Sequence, residues 1–207
     1  MMGLNDVDRA RVEAAVRAAE QRTNAQFAVV VAHASDAYPL YPVLGAALIA
    51  LVVGDIAALA WPDLGTWWIV AIQAVLFVVA DLVLHAKALR FRLVPTKVKR
   101  THAARFARLQ FAGLVHDRTK GDVGVMLFVS EAERHVEILV DRGISARIPE
   151  STWQTIVADF VAAVGAGHVA DALIGAVTSC TAILEQHFPP TPGAGAAPEL
   201  SGTITEI

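Results

Sequence analysis

Two continuous apolar runs, Val43 to Ala60 and Thr66 to Ala86, dominate the hydropathy pattern, and the short turn Trp61-Pro62-Asp63-Leu64-Gly65 joins them. The first holds nine Val, Leu or Ile residues in 18 positions and the second eleven Val, Leu, Ile or Phe residues in 21. Each is apolar around its whole circumference, so neither has the polar stripe that a core helix of a soluble protein turns to water. As helices they reach roughly 27 and 31 Å, matching a hydrocarbon layer of about 30 Å. The pattern predicts a transmembrane hairpin with spans 43–60 and 66–86.

Outside the hairpin the periodicity changes. Asn5 and Asp6 are placed to cap a helix running to about Arg22, with Val7, Ala10, Ala14 and Ala18 along one face. Phe27 to Ala32 is an unalternated apolar strand, as expected where both faces of a sheet are covered. After the hairpin, Pro95 and Thr96 open a basic helix carrying Phe106, Leu109, Phe111 and Leu114 to about His116. Val125–Val129 and His135–Val140, separated by Ser130-Glu131-Ala132-Glu133-Arg134, read as a β-hairpin with an acidic turn. Ser151-Thr152-Trp153-Gln154 fits a capping box before Ile156, Val157, Phe160 and Val164. A last helix, from about Ala170 to Phe188, ends at Pro189-Pro190. The expected order is residues 1–42 as the first part of a domain, the hairpin at 43–86, the rest of the domain at 87–188, and a Gly-, Ala- and Pro-rich flexible tail at 189–207.

Composition agrees with a chain part membrane and part globular: 207 residues, 55% hydrophobic and 18% charged. Without the hairpin, about 163 residues remain, enough for one compact domain. The net charge of −3 gives no global attraction to nucleic acid, which is not expected as a partner. Its distribution is uneven. Lys87, Arg90, Arg92, Lys97, Lys99, Arg100, Arg105 and Arg108 follow the second span with no acid among them. Basic residues beside a span are retained on the cytoplasmic side, so the turn is expected outside and both termini inside, in the inner (cytoplasmic) membrane. The same cluster, from Lys87 to Arg100, is placed to face anionic lipid. Trp61, Trp67 and Trp68 mark the outer interface, and Tyr38 and Tyr41 the inner one. The first 25 residues are charged and amphipathic, without the apolar core of a secretory signal.

Two acids interrupt the spans. The aliphatics of the first run favour insertion by roughly 3 to 5 kcal/mol against a cost of up to about 3 for Asp55. Counted from the turn, Asp55 lies about as deep as Gln73, so a carboxylate–amide hydrogen bond across the hairpin is expected. Ala46, Ala50, Gly54 and Ala58 form a small-residue face for close helix contact. Asp81 is expected opposite Gly45 and Ala46, or against a second copy. As a set, Asp55, Gln73 and Asp81 read as polar contacts within or between hairpins. A proton or ion path is the alternative.

Candidate chemistry in the soluble part lies in its turns. Asp36, Asp122, Glu131, Glu133, Arg134, Asp141 and Arg142 are the available groups, and Glu131-x-Glu133 projects two carboxylates from one tight turn. With Asp141 these acids are the candidate metal ligands, short of the full oxygen set calcium takes. No catalytic residue is assigned. The seven histidines, His33, His85, His102, His116, His135, His168 and His187, show no helical ligand spacing. The single cysteine, Cys180, sits at core spacing from Leu173, Val177 and Leu184 and excludes an intrachain disulfide.

The series of an amphipathic helix, a strand, a membrane hairpin, Thr119-Lys120-Gly121-Asp122-Val123-Gly124-Val125-Met126-Leu127-Phe128-Val129-Ser130, Glu133-Arg134-His135-Val136-Glu137-Ile138 and Asp141-Arg142-Gly143-Ile144 resembles the TPM-domain family over about residues 4–188. It is most similar to a bacterial membrane-protein branch with two spans inserted in the domain. The resemblance implies an α/β fold, a small central sheet packed by helices on both faces. It also implies links to phosphatase activity, calcium binding or the assembly of membrane complexes. This chain departs from the better-studied members in having Asp141-Arg142-Gly143 where they have a Gly-Tyr-Gly turn, and in its expected cytoplasmic domain. The leading expectation is therefore a noncatalytic accessory or interaction module without a cofactor, partnered by membrane lipids and by a second copy met through the small-residue face, or by other membrane proteins. The alternatives are a membrane-anchored phosphatase-like or divalent-cation-binding domain, with calcium as the possible ion, and a small ion-conducting oligomer.

Overall fold

The computed structural model describes residues 5–113, 123–190 and 204–207. In chain order the elements are α1 (Asp6–Arg22), β1 (Gln26–Ala32), α2 (Leu40–Ala60), α3 (Thr66–Leu84), α4 (Lys87–Leu93), α5 (Thr96–Phe111), β2 (Gly124–Ser130), β3 (His135–Val140), α6 (Arg142–Ser145), α7 (Glu150–Gly165), α8 (Val169–His187) and β4 (Ile204–Glu206). They fall into two units, residues 36–100 and the remainder, so the first is an insertion in the sequence of the second.

The discontinuous unit is held together by β1 and β2, which pair in parallel from Gln26 opposite Gly124 to Ala32 opposite Ser130. A parallel pair needs a crossover, and here the crossover contains the whole inserted unit. β3 returns antiparallel to β2, and the strand order is β3-β2-β1-β4. Alternate side chains of the central strands enter two separate cores, as the two-residue period of a strand requires. Phe27, Val29, Val31, Val125, Leu127 and Val129 pack on one face with residues of α1, α7 and α8. Ala28, Val30, Ala32, Met126 and Phe128 pack on the other with Ala103 and Ala107 of α5. The fold is thus α/β with helices on both faces of the sheet.

Several helices follow the expected pattern and two differ in detail. Asn5 caps α1, its side chain accepting from Asp8 N at 2.7 Å. The buried face of α1, however, is Val12, Val16 and Ala19, while Val7 is 70% exposed and Ala10, Ala14 and Ala18 face solvent. Turning the valines inward buries more apolar area than the alanines offer. α7 begins at Glu150 behind Pro149, and its N-cap makes no side-chain hydrogen bond. Ser151 is already inside the helix, with its carbonyl accepting from Thr155 Oγ1, so the capping box is not formed. α8 buries Leu173, Val177, Cys180 and Leu184 as expected. Burial pushes the Cys180 thiol up to about 12, away from thiolate chemistry.

The tail differs from expectation at its end. Ile204–Glu206 form β4, parallel to β1, and His33 N donates to Ile207 O at 2.7 Å. The reason is the open edge of β1, whose backbone groups require partners. Most of the tail, the segment Thr119–Asp122 and the approach to His116 lie outside the described residues. α1 and α8 are joined at their ends by Thr23 Oγ1 donating to Phe188 O at 2.7 Å and by a two-bond Arg22–Glu185 pair.

Glu20, on α1, is half-buried, and its Oε2 has no hydrogen-bond partner among the described residues. Burial raises its carboxyl from 4.5 to about 7, opposed in part by Phe27 N–H and by Arg17. The folded protein therefore holds this proton more tightly than the unfolded chain. The contribution is fully present below about pH 4.5, declines as pH rises and is lost above about 7. Glu20→Gln is expected to flatten this decline and to raise stability at pH 8 by about 1–2 kcal/mol, allowing for water's access to a half-exposed carboxylate. Thermal melts of both proteins from pH 4 to 8 measure it; parallel curves would refute the assignment.

In the inserted unit, α2 and α3 form an antiparallel hairpin, closed by Leu64 N to Trp61 O at 3.0 Å. α2 turns Ala46, Ala50, Gly54 and Ala57 inward, the expected small-residue face with Ala57 in place of Ala58 at its end. Gly54 is required there, because a Cβ would overlap the Gln73 side chain. Tyr38 is buried, edge-on to Tyr41 and Phe91 with centroids 6.5 and 6.0 Å away.

Candidate functional site

The acids singled out in the turns are separated by the length of a strand. At the carboxyl end of the parallel pair, Glu131 N donates to Ala32 O at 3.0 Å and Ala132 N to His33 O at 3.1 Å, so the β2–β3 turn is held against the exit of β1. Arg134 completes the turn in the left-handed region at φ 50°, with its N–H donating to Glu131 O at 3.2 Å. Within this corner Glu133 is 6% exposed. Its two carboxylate oxygens accept from Ser35 N, both at 3.1 Å, and Oε2 also accepts from the buried Ser130 hydroxyl. Ser35 Oγ lies 3.2 Å from Ser130 Oγ, and His33 Nδ1 lies 3.1 Å from Glu131 Oε2.

Asp141 stands at the opposite end of the same sheet. Val140 pairs with Val125, and Asp141 Oδ2 accepts from Gly124 N at 3.1 Å. Its own N–H returns to Gly124 O at 2.9 Å, and its carbonyl accepts from Ile144 and Ser145 N to start α6. β2 runs from Gly124 to Ser130, which at about 3.3 Å per residue sets Asp141 and Glu133 roughly 20 Å apart. The expected set Glu131, Glu133 and Asp141 therefore cannot hold one ion. The separation follows from chain order, because the strand His135–Val140 lies between the two turns. Among the described residues no three His, Cys, Asp or Glu side chains converge on a metal position.

Both buried carboxylates do recognisable structural work, binding backbone N–H groups that would otherwise be unpaired at strand ends. Ser35 and Ser130, which complete the Glu133 corner, were not singled out from sequence; the only signal was their position just beyond apolar strands. Asp36 Oδ1 accepts from Tyr38 N at 3.2 Å, a local turn bond. Asp122 lies outside the described residues.

Among the polar residues of the hairpin, Gln73 packs on Gly54, while Asp55 is exposed. The expected Asp55–Gln73 hydrogen bond is not among those the structure forms, because α2 presents Gly54 and not its neighbour to α3. Nor does Asp81 sit against Gly45, whose nearest side chains are Leu84 and Leu93. Asp81 pairs instead with His85 one turn on, at 3.2 Å between Oδ1 and Nδ1. The imidazole proton serves the Asp81 carbonyl at 2.9 Å, which leaves Oδ1 in ion-pair range but without a hydrogen bond. Of the basic cluster, Arg92, Lys97 and Arg100 are exposed and Lys99 is half-buried. Arg90 stacks 5.1 Å from the centroid of Phe91. The Lys87 side chain lies outside the described residues.

Among the described residues three helices are long and apolar enough to cross a membrane: α2, α3 and α8. They differ in what their apolar surface touches. α8 contributes its stripe to the core on the α1–α7 side of the sheet. In the most apolar window of α2 only 22% of the residues are buried, and in that of α3 none.

A parallel pair flanked by an antiparallel strand, covered on both faces by helices and interrupted by an apolar hairpin, defines the class as a small α/β domain carrying an insertion. Residues 89–183 match the family model of the TPM domain, which agrees with the resemblance read from the strand and turn motifs. The fold is similar to the NMR structure of the BA42 protein from the psychrophilic bacterium Bizionia argentinensis, with a TM-score of 0.61 at 16% identity, covering 99% of this chain and 95% of that one. No curated protein matches this chain.

Proposed function

We propose that this protein is an integral protein of the bacterial inner membrane whose TPM-like domain acts on the cytoplasmic side as a noncatalytic accessory module. The observation that carries this reading is the surface of the hairpin. Leu48, Leu59, Trp67, Trp68, Val75 and Leu82 are all more than 60% exposed, a continuous apolar area far beyond what a soluble monomer shows to water. A hydrocarbon solvent removes that cost, and α2 and α3 have the length to cross it. The basic residues after α3 support the orientation with the 61–65 turn outside, and they support contact with anionic headgroups.

The noncatalytic part rests on Glu133 and Asp141. Each is buried and engaged by backbone N–H donors, an arrangement that fixes turns and leaves little free oxygen for a substrate.

Alkaline carbonate extraction of membranes tests the first claim. The chain is expected to stay in the pellet, and its release to the supernatant would overturn the reading. A cysteine replacing Asp63 is expected to react with an impermeant maleimide from the periplasmic side only, which reports the orientation independently.

A further inference from the structure

Asp55 is exposed on α2 and forms no hydrogen bond or ion pair with a described residue. It shares its side of the helix with Leu44, Leu48, Leu51 and Leu59, all more than half exposed. The small-residue face that invites close helix contact is already occupied, since Ala46, Ala50, Gly54 and Ala57 are buried in the hairpin and Gly54 meets Gln73. At about 100° per residue the Asp55 side lies well around the helix from that contact.

We propose that a second copy of this chain covers the outward face of α2, with the two Asp55 side chains hydrogen-bonded to each other across a two-fold axis. This rests on the membrane reading above. In hydrocarbon a lone carboxyl finds neither donor nor acceptor, at a cost of about 2.5–3.5 kcal/mol near the centre of a span. Its short side chain does not reach the headgroups as lysine does. A partner at the same depth resolves this.

The sequence of the face supports a helix as that partner. Leu44, Leu48, Leu51, Asp55 and Ala58 recur at alternating four- and three-residue steps, the spacing of a left-handed helix–helix seam. A single polar residue in such a seam fixes register and copy number. Gln73 packs on Gly54 on the other side of α2, and Asp81 pairs with His85 within its own helix end. Asp55 of a second copy is different. All copies insert with the same orientation, so a two-fold axis along the membrane normal brings the two carboxyl groups to one level. A carboxyl group carries both a donor and an acceptor, which makes it its own complement across the axis.

The test uses the full-length Cys180→Ala chain in phosphatidylglycerol-containing vesicles, with single cysteines introduced at seam and flanking positions. Under mild oxidation Leu48→Cys and Leu51→Cys are expected to yield disulfide-linked dimers, and Ile49→Cys and Ile56→Cys, also exposed but on another flank, about ten-fold less. In the Leu51→Cys chain, adding Asp55→Leu is expected to weaken association about ten-fold, the equivalent of one interhelical hydrogen bond in a membrane, while Asp55→Asn retains it. Equal crosslinking at all four positions, or an Asp55→Leu chain that dimerises as well as its parent, would overturn the dimer while leaving membrane insertion intact. Failure of the protein to float with the vesicles would remove the membrane reading itself and the dimer with it.

Discussion

Phe128→Ala is expected to lower the stability of the TPM-like domain by about 3–5 kcal/mol, the usual range for deleting a fully buried aromatic ring. The residue is 0% exposed at the centre of β2. It faces α5, with the Phe106 ring 6.0 Å away, and among the described residues it shares its core with six other buried side chains, four of them alanines. That composition sets the magnitude. Alanines have no length with which to fill a vacated space, and backbone movement is restrained because β2 is paired on both edges. A cavity therefore persists and adds its own cost to the lost burial. The change in melting temperature in detergent should be roughly 10 °C or more. Phe128→Leu should recover most of it, and a shift below about 3 °C for the alanine variant would show that this face of the sheet is not a packed core.

Glu133→Ala comes second. It removes the acceptor of Ser35 N–H and of the Ser130 hydroxyl at one stroke. Each donor left unpaired and buried costs about 1–3 kcal/mol, so the variant is expected to lose about 2–4 kcal/mol in total. Glu133→Gln keeps one oxygen as acceptor and should lose less. Hydrogen exchange reads this locally: Ser35 and the 130–134 turn should lose protection while the strand interior of β2 keeps it. Unchanged protection in the alanine variant would mean that the carboxylate does not organise this corner. A loss of phosphate-ester turnover in Glu133→Gln without loss of stability would instead favour the hydrolase alternative.

The candidate site was only partly legible in advance. Glu131 and Glu133 were visible as a paired-acid turn, and Asp141 as the first residue beyond a strand. Their separation was visible as well, since the strand His135–Val140 lies between them and holds its two ends roughly 20 Å apart at about 3.3 Å per residue. Ser35, by contrast, was hidden. It joins Ser130 and Glu133 only because β1 and β2 pair in parallel across the inserted hairpin, bringing together residues nearly a hundred positions apart. For α1, amphipathic spacing identified a helix but left two stripes to choose between; the sheet surface took the valines, the larger side chains. The β4 segment lay inside a stretch whose Gly, Ala and Pro content reads as a flexible tail, and the open edge of β1 gave its last residues a strand partner.

The chain's own pattern determined those features that depend on a residue's near neighbours: two apolar runs of spanning length, a turn between them, an unalternated strand on either side of the insertion, and helices stopped by proline. Local hydrophobic spacing and backbone propensity act over a few residues, so they can be read in order along the chain. The tertiary structure alone decided which surfaces meet. It closed the small-residue face of α2 against α3, left Asp55 outside that contact, and brought Ser35 to Ser130 and Glu133. Those outcomes follow from strand register and helix rotation, and both are set by competition between distant surfaces for burial.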